Sequence, residues 1–362
     1  MAKKKEEMDE FIDRIYAEVE KDYGKGILVS GSDVIDREQT LIPIGPSLDI
    51  LTGGILEGSF VGISGKPKTG KTITAMQIAA NAQKSEFGSR PVFYAKVEGR
   101  ISSVHTNAIK GLNTKKPHFN IIQSEEGRIL TSKDYLQIMT AVLKTVKNAV
   151  LIIDSISALI SEKELTEGVG VETRGGGAKL FTQFCNNVCN VVPINNSIVI
   201  GISHVYANTS GYGEAFLEKS AMRWQHACDY RLRSKAHKPW MDGPRNIGII
   251  TTWNCLASPI TPPNQTIDSY FRFGVGIDRL YELINFGISI GLIKKAGAWY
   301  TMSFMQRHLE LLNVATWDDD AEKKVKSQGQ EGLYQLLVNN PKWAEALDKE
   351  IQDLAGGLTG SE

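Results

Sequence analysis

The sequence predicts an α/β fold: a mostly parallel sheet flanked by helices, with an amphipathic helix ahead of it and a small helical unit behind. Three observations predict it. A glycine-rich loop at 65–72 joins a short apolar run to a helical pattern. Four such runs, at 60–64, 91–97, 149–154 and 197–203, alternate with helical patterns. The first leads into the glycine loop and the others end at Glu98, Asp154 and Ser203-His204. In a parallel sheet with right-handed crossovers, those groups share the C-terminal edge, where ligands bind.

Taken in order, residues 6–21 place Met8, Phe11, Ile12, Ile15, Tyr16 and Val19 at helical spacing between charges. This helix can fold back on its own domain or dock on a neighbouring subunit. Tyr23 to Val29 reads as a turn and short strand. Ile42 to Gly54 supplies a turn and a helical piece ending at glycine. The stretch 60–80, FVGISGKPKTGKTITAMQIAA, then gives strand, loop and helix. Beyond residue 245, the runs 247–253 and 269–273 continue the sheet, and 277–292 reads as a helix. A polar, charged stretch at 312–330 reads as a linker into two helices, 333–338 and 342–354, with Asn340 before Pro341 as a start signal.

A chain of 362 residues holds two or three domains and an ample core. Lys+Arg and Asp+Glu stand at 41 each, so no global basic charge advertises nucleic acid; a local basic groove is compatible with that balance. No apolar run reaches membrane-spanning length and the MAKKKEEMDE start lacks a signal-peptide core, so the expected location is the cytoplasm, with no membrane partner. Four cysteines make no disulfide framework. Cys185 and Cys189, four apart on a predicted helix, have no zinc-spaced partners and read as small buried thiols.

The loop Gly65-Lys66-Pro67-Lys68-Thr69-Gly70-Lys71-Thr72 fits GxxxxGK[ST] at every fixed position. Its glycines allow backbone turns that aim successive N–H groups inward, and the following helix adds its dipole. Lys71 reaches the β and γ phosphates of a nucleoside triphosphate, and Thr72 offers a hydroxyl to Mg²⁺. Asp154 is placed to hold Mg²⁺ directly or through water; it also suits the start of the next helix as a cap. Glu98 can orient or deprotonate the attacking water. His204 is placed to sense the γ-phosphate, or simply to bond at a strand end. Two long loops, 162–177 and 205–219, leave the same edge. Tyr206, Tyr212 and Phe216 can stack on bases, and Arg174, Lys179 and Arg223 can meet phosphates.

Across nearly its whole length the chain resembles the RecA-type recombinases, with features closer to the phage UvsX-like branch. The resemblance is carried by YGKGILVSGSD, PIGPSLDILTGGILEGSFVGISG, GKPKTGKT, LIIDSISALI, LVNNPKWAEALDKEIQDL and, most specifically, FGVGIDRLYELINFGISIGLIKKAGAWY. It implies a RecA-like P-loop ATPase core at 36–311. An N-terminal oligomerisation arm would occupy 1–35, and a linker with a small C-terminal helical domain 312–362. Lys71 and Thr72 would bind ATP and Mg²⁺, Asp154 would support the metal, and Glu98 would activate water. His105 sits where the family stacks a ring on adenine, and Phe273 where a neighbouring subunit closes over the nucleotide. The two long loops match the DNA-facing loops, with Lys179 and Arg223 at family basic positions.

The implied activity is ATP-dependent filament assembly on single-stranded DNA, then homology search and strand exchange with duplex DNA. Mediator and single-strand-binding proteins are the expected partners, inside a bacterial or phage-infected cell. The chain departs from the family in four places. Trp253-Asn254-Cys255 stands where bacterial relatives carry a lysine pair reaching the neighbour's γ-phosphate, and His204 replaces a glutamine. Lys219-Ser220 replaces a glycine pair, and no acidic C-terminal tail is present. The intact Lys71, Glu98 and Asp154 favour a working DNA-dependent ATPase. Trp253 and Cys255 favour the alternative, a nucleotide-binding, filament-forming paralogue with little hydrolysis that assists recombination or replication. A ring-forming helicase or motor suits the AGAWY region and the C-terminal unit less well.

Overall fold

Alternation of apolar side chains along each strand decides how this chain layers. In the computed structural model, which describes residues 2–35, 38–98, 106, 109–161, 176–209, 212–213 and 215–359, the chain divides into two units, 1–40 and 41–362.

The first unit holds helix α1 (Ala2–Tyr23) and the short α2 (Gly31–Ile35). Met8, Phe11 and Ile12 of α1 are exposed. Residues 24–30, expected to include a short strand, form turns and bends without one. A strand needs a pairing partner, and no other extended segment is described in this unit.

The second unit begins with β1 (Leu41–Ile42), α3 (Pro46–Thr52), β2 (Ile55–Leu56), β3 (Phe60–Gly65) and α4 (Lys71–Ala82). Next come β4 (Val92–Lys96), β5 (Phe119–Ile122), α5 (Ser132–Thr145), β6 (Val150–Asp154), α6 (Ile156–Ser161) and α7 (Gly176–Val188). Strands β7 (Ile198–Ala207) and β8 (Phe216–Glu218), helix α8 (Met222–Ala227), and strands β9 (Tyr230–Asp242), β10 (Arg245–Ala257), β11 (Thr266–Arg272) and β12 (Gly276–Ile277) complete the main sheet. Its order is β12-β11-β10-β9-β3-β7-β6-β4-β5, with β8 on the end of β7. Strands β5, β4, β6, β7, β3 and β9 pair in parallel, and β9 through β12 pair antiparallel. This is the mostly parallel sheet the sequence predicts.

Because side chains alternate across a strand, each apolar run feeds two cores. Val150 and Ile152 of β6 pack with Ile63, Ile78 and Ile200 on the face covered by α3 and α4. Leu151 and Ile153 pack with Met139, Phe184 and Val199 on the face covered by α5, α6 and α7. A parallel sheet buried on both faces is what gives the runs their continuous hydrophobicity. Helix α5 starts at a capping box, Thr131 with Asp134, which satisfies amide donors of its first turn.

Two strands of the main sheet's paired body, β5 and β9, are among those that escape the sequence reading. β5 is only four residues, with Asn120 in the middle. β9 alternates core residues (Tyr230, Leu232) with Arg231, Arg233 and Lys235 and carries Pro239, so it looks like polar loop. The legible signal was Asp242-Gly243, which opens the β9–β10 hairpin with Gly243 at φ +54°.

The C-terminal part contains α9 (Arg279–Ser289), β13 (Ile293–Ala296), β14 (Trp299–Met302), β15 (Lys326–Gln328), α10 (Gly329–Asn339) and α11 (Pro341–Thr359). It is more than helices: β13, β14 and β15 form an antiparallel sheet, and a third core runs from Leu283 to Ile351. Residues 312–330, read as a linker, instead hold a helix at Asp319–Lys324, capped by Asp318, and then β15. Ala321 and Val325 are fully buried there. The charges that made the stretch look like a tether coat the outside of one turn of packed helix.

Candidate nucleotide site

The glycine loop is held by β9 and β10 as well as by its own turns. Gly65 is paired with Ser234 on one side and His204 on the other. Its φ is +153°, and a Cβ there would stand 1.8 Å from Ser234 Oγ, so only glycine fits. Ser234 Oγ donates to Thr69 Oγ1 (2.9 Å), Thr69 Oγ1 to the Lys66 carbonyl (2.9 Å), and Thr251 Oγ1 to the Thr69 carbonyl (3.2 Å). Gly70, at φ +86°, presses against Phe271, where a Cβ would fall 2.8 Å from Cζ. Helix α4 then begins with no side-chain cap, leaving the amides and dipole of its first turn directed at the loop. Lys66, Pro67 and Lys68 are exposed at its rim.

Lys71 is buried, and its Nζ donates to the Lys66 carbonyl at 2.6 Å. Burial lowers its pKa to about 8, against the pull of Asp154 and Glu98. Thr72 Oγ1 donates to Asp154 Oδ2 at 2.9 Å, and the Tyr94 hydroxyl donates to the same oxygen at 2.6 Å. Burial pushes the Asp154 carboxyl upward, opposed by those two hydrogen bonds. Ser155, not Asp154, serves the start of α6, accepting from the Ala158 N–H at 3.2 Å.

Ser155 also ties in the next strand: its Oγ donates to Glu98 Oε2 at 2.6 Å. His204 Nε2 lies 3.2 Å from the same oxygen. Burial raises the Glu98 carboxyl, but hydrogen bonds from Ser155 and His204, with the charges of His204 and Lys219, outweigh it and hold Glu98 below its usual range. The His204 N–H is bonded to Ser157 Oγ (2.8 Å). Lys71, Thr72, Asp154, Glu98 and His204 therefore form one connected cluster on three adjacent strand ends and a helix start.

That cluster fits a triphosphate with a hard divalent cation. Thr72 and Asp154 are oxygen donors in mutual contact, suited to Mg²⁺, which keeps waters and takes its other ligands from phosphate. Among the described residues no group of three or more His, Cys, Asp or Glu side chains can hold a metal alone, and a nucleotide-bound Mg²⁺ needs none.

The family model for the RecA N-terminal domain matches residues 10–278. The chain belongs to the RecA family. It is 24% identical over 356 residues to protein RecA of Thermotoga neapolitana, covering 97% of this chain and 94% of that one. Protein RecA of Acholeplasma laidlawii is 24% identical over 339 residues (92% and 93% covered). That of Saccharopolyspora erythraea is 25% identical over 346 (94% and 91%).

Where this RecA-family chain carries Trp253 and Cys255, both side chains are fully buried in the core on the α4 side of the sheet. Asn254, with Arg233, Lys235 and Lys66, lines instead a cavity of about 410 Å³ beside the glycine loop. Of the aromatic loop residues, Tyr206 is 51% and Tyr212 87% exposed, while Phe216 lies under Lys66 Nζ, 4.3 Å from its ring centre. Lys179 is exposed on α7, and Arg223 Nε donates to Asn186 Oδ1 of the same helix (2.7 Å). Phe273, 62% exposed, stands just past β11 with its N–H on the Ile247 carbonyl (3.0 Å), outside the cluster. His105 and Arg174 lie outside the described residues. Sequence reasoning missed Tyr94, Ser155, Ser157 and Ser234; only Ser155, next to Asp154, had a positional hint.

Proposed function

We propose that this RecA-family recombinase binds ATP and Mg²⁺ at the glycine loop, assembles into helical filaments on single-stranded DNA and carries out homology search and strand exchange. The observation that carries this reading is the single cluster joining Lys71, Thr72, Asp154, Glu98 and His204. Lys71 and the amides at the start of α4 grip the β and γ phosphates. Thr72 and Asp154 would hold Mg²⁺, which when bound would supply positive charge to the phosphates. Glu98, kept ionised by Ser155 and His204, takes the proton of the attacking water or orients it. His204 links that carboxylate to β7 and so to the loop after it, which connects hydrolysis to DNA. His105 and Phe273 complete the nucleotide's surroundings, Phe273 from a neighbouring subunit.

DNA is assigned to the two loops, with Tyr206, Tyr212 and Phe216 as stacking groups and Arg174, Lys179 and Arg223 as phosphate contacts. The exposed Met8, Phe11 and Ile12 of α1 support its role as the arm that docks on a neighbour. His204 supports a place near the UvsX-like branch, in a bacterial or phage-infected cytoplasm with mediator and single-strand-binding proteins. A second reading rests on Trp253 and Cys255: with both buried, neither can serve a neighbour's phosphates, which favours an assembling paralogue with weak hydrolysis.

Electron micrographs of the protein on single-stranded DNA with ATP and Mg²⁺, alongside a strand-exchange assay, test the proposal. Filaments with joint-molecule formation are expected. Filaments without exchange would favour the paralogue, and neither would defeat both readings.

A further inference from the structure

Tyr94 is not part of the glycine-loop pattern, yet it touches the site's central carboxylate. It lies inside β4, 1% exposed, stacked beside Phe119 with ring centres 6.2 Å apart. Register sets Tyr94 opposite Ile152 and Lys96 opposite Asp154, so the long Tyr94 side chain reaches forward to the end of the neighbouring strand. Its hydroxyl meets Asp154 Oδ2 at 2.6 Å, the oxygen that also accepts from Thr72. Two donors on one oxygen fix the rotation of the carboxylate and leave Oδ1 bonded to neither of them. A buried tyrosine needs a partner for its hydroxyl. Many backbone carbonyls would serve, as Tyr135 shows by donating to the Lys96 carbonyl (2.9 Å) on the same strand.

We propose that Tyr94 is a positioning residue for the divalent cation: its hydroxyl locks the Asp154 carboxylate so that Oδ1 stays available to the cation or its water. This rests on the reading of the cluster as a nucleotide–Mg²⁺ site. Groups that orient metal-binding carboxylates commonly govern tenfold or more of a site's affinity. Tyr94→Phe removes one oxygen and keeps the ring that packs on Phe119, so the sheet retains its core.

The test uses the full chain with Mn²⁺ as the cation, read by electron paramagnetic resonance in the presence of ADP. Nucleotide affinity is measured separately in EDTA, and Tyr135→Phe is the control. Expected is a loss of about tenfold or more in Mn²⁺ affinity for Tyr94→Phe, with Tyr135→Phe near wild type and nucleotide affinity in EDTA unchanged in both. Unfolding midpoints of the nucleotide-free variants verify that each is folded. Wild-type Mn²⁺ affinity in Tyr94→Phe would overturn the inference and leave the site reading standing. So would an equal loss in Tyr135→Phe, which would mean a general loosening of the sheet end. Wild type that binds Mn²⁺ no better with ADP than without it would overturn the site reading and the inference together.

Discussion

Lys71 and Glu98 face the same space with opposite needs. Lys71 loses water on burial and is held charged chiefly by Asp154 and Glu98; a phosphate would add to that hold. Removing it by Lys71→Ala should reduce triphosphate affinity at least a hundredfold, since a buried charged partner of a phosphate is worth about 3 kcal/mol; titration calorimetry measures it, and unchanged affinity would remove the glycine loop from the site. At this scale the legible residues were those that a motif or a strand end marks: Lys71, Thr72, Glu98, Asp154 and His204. Tyr94 and Ser234 were illegible because strand register, not spacing, brings them in, and Ser157 because it reaches the site from helix α6. Ser234 is 165 positions from its partner Thr69.

Elements are tied together by a few part-buried polar junctions. At the start of α3, Asp49 Oδ1 accepts from the Ile44 N–H at 2.6 Å, and burial raises its pKa from 3.8 to about 7. The folded state thus holds this proton more tightly than the unfolded chain does. The contribution is favourable at low pH and is lost as pH rises towards about 7. Asp49→Asn keeps the acceptor and cannot ionise. Its urea midpoint should change less between pH 4 and 8 than that of wild type, and should be the higher of the two at pH 8. A second junction is Arg272, whose guanidinium lies between Trp240 and Tyr334 and pairs with Asp278 at 2.5 Å. It binds the edge of the main sheet to the third core. Arg272→Ala leaves the buried Asp278 without its cation and should cost about 3 kcal/mol in urea unfolding; Arg272→Lys, which cannot stack as a plane, should recover only part. Elements with strong periodicity, the central strands and the paired C-terminal helices, were legible. β9 was not, because its outward face is a row of cations, and 312–330 was not, because a short helix with one buried residue, Ala321, and a buried Val325 after it has the composition of a linker.

For the molecule as a whole, the two units divide the work proposed here. Deleting residues 1–22 should leave the second unit folded, with its three cores intact, and abolish filaments; sedimentation and micrographs decide it, and filaments that persist would reassign the arm. The fold class was legible because one glycine loop and four strand ends fix the sheet's functional edge. The surroundings of 253–255 were not: only packing reveals that Trp253 and Cys255 belong to the core. Whether the proposed cluster turns over ATP is the central question for the molecule. The most direct measurement is the rate of ATP hydrolysis, with and without single-stranded DNA, for wild type and Glu98→Gln. The account predicts DNA-stimulated turnover in wild type and a fall of about a hundredfold or more in Glu98→Gln, with nucleotide still bound. Equal rates in the two proteins, or no turnover in wild type with DNA, would contradict it.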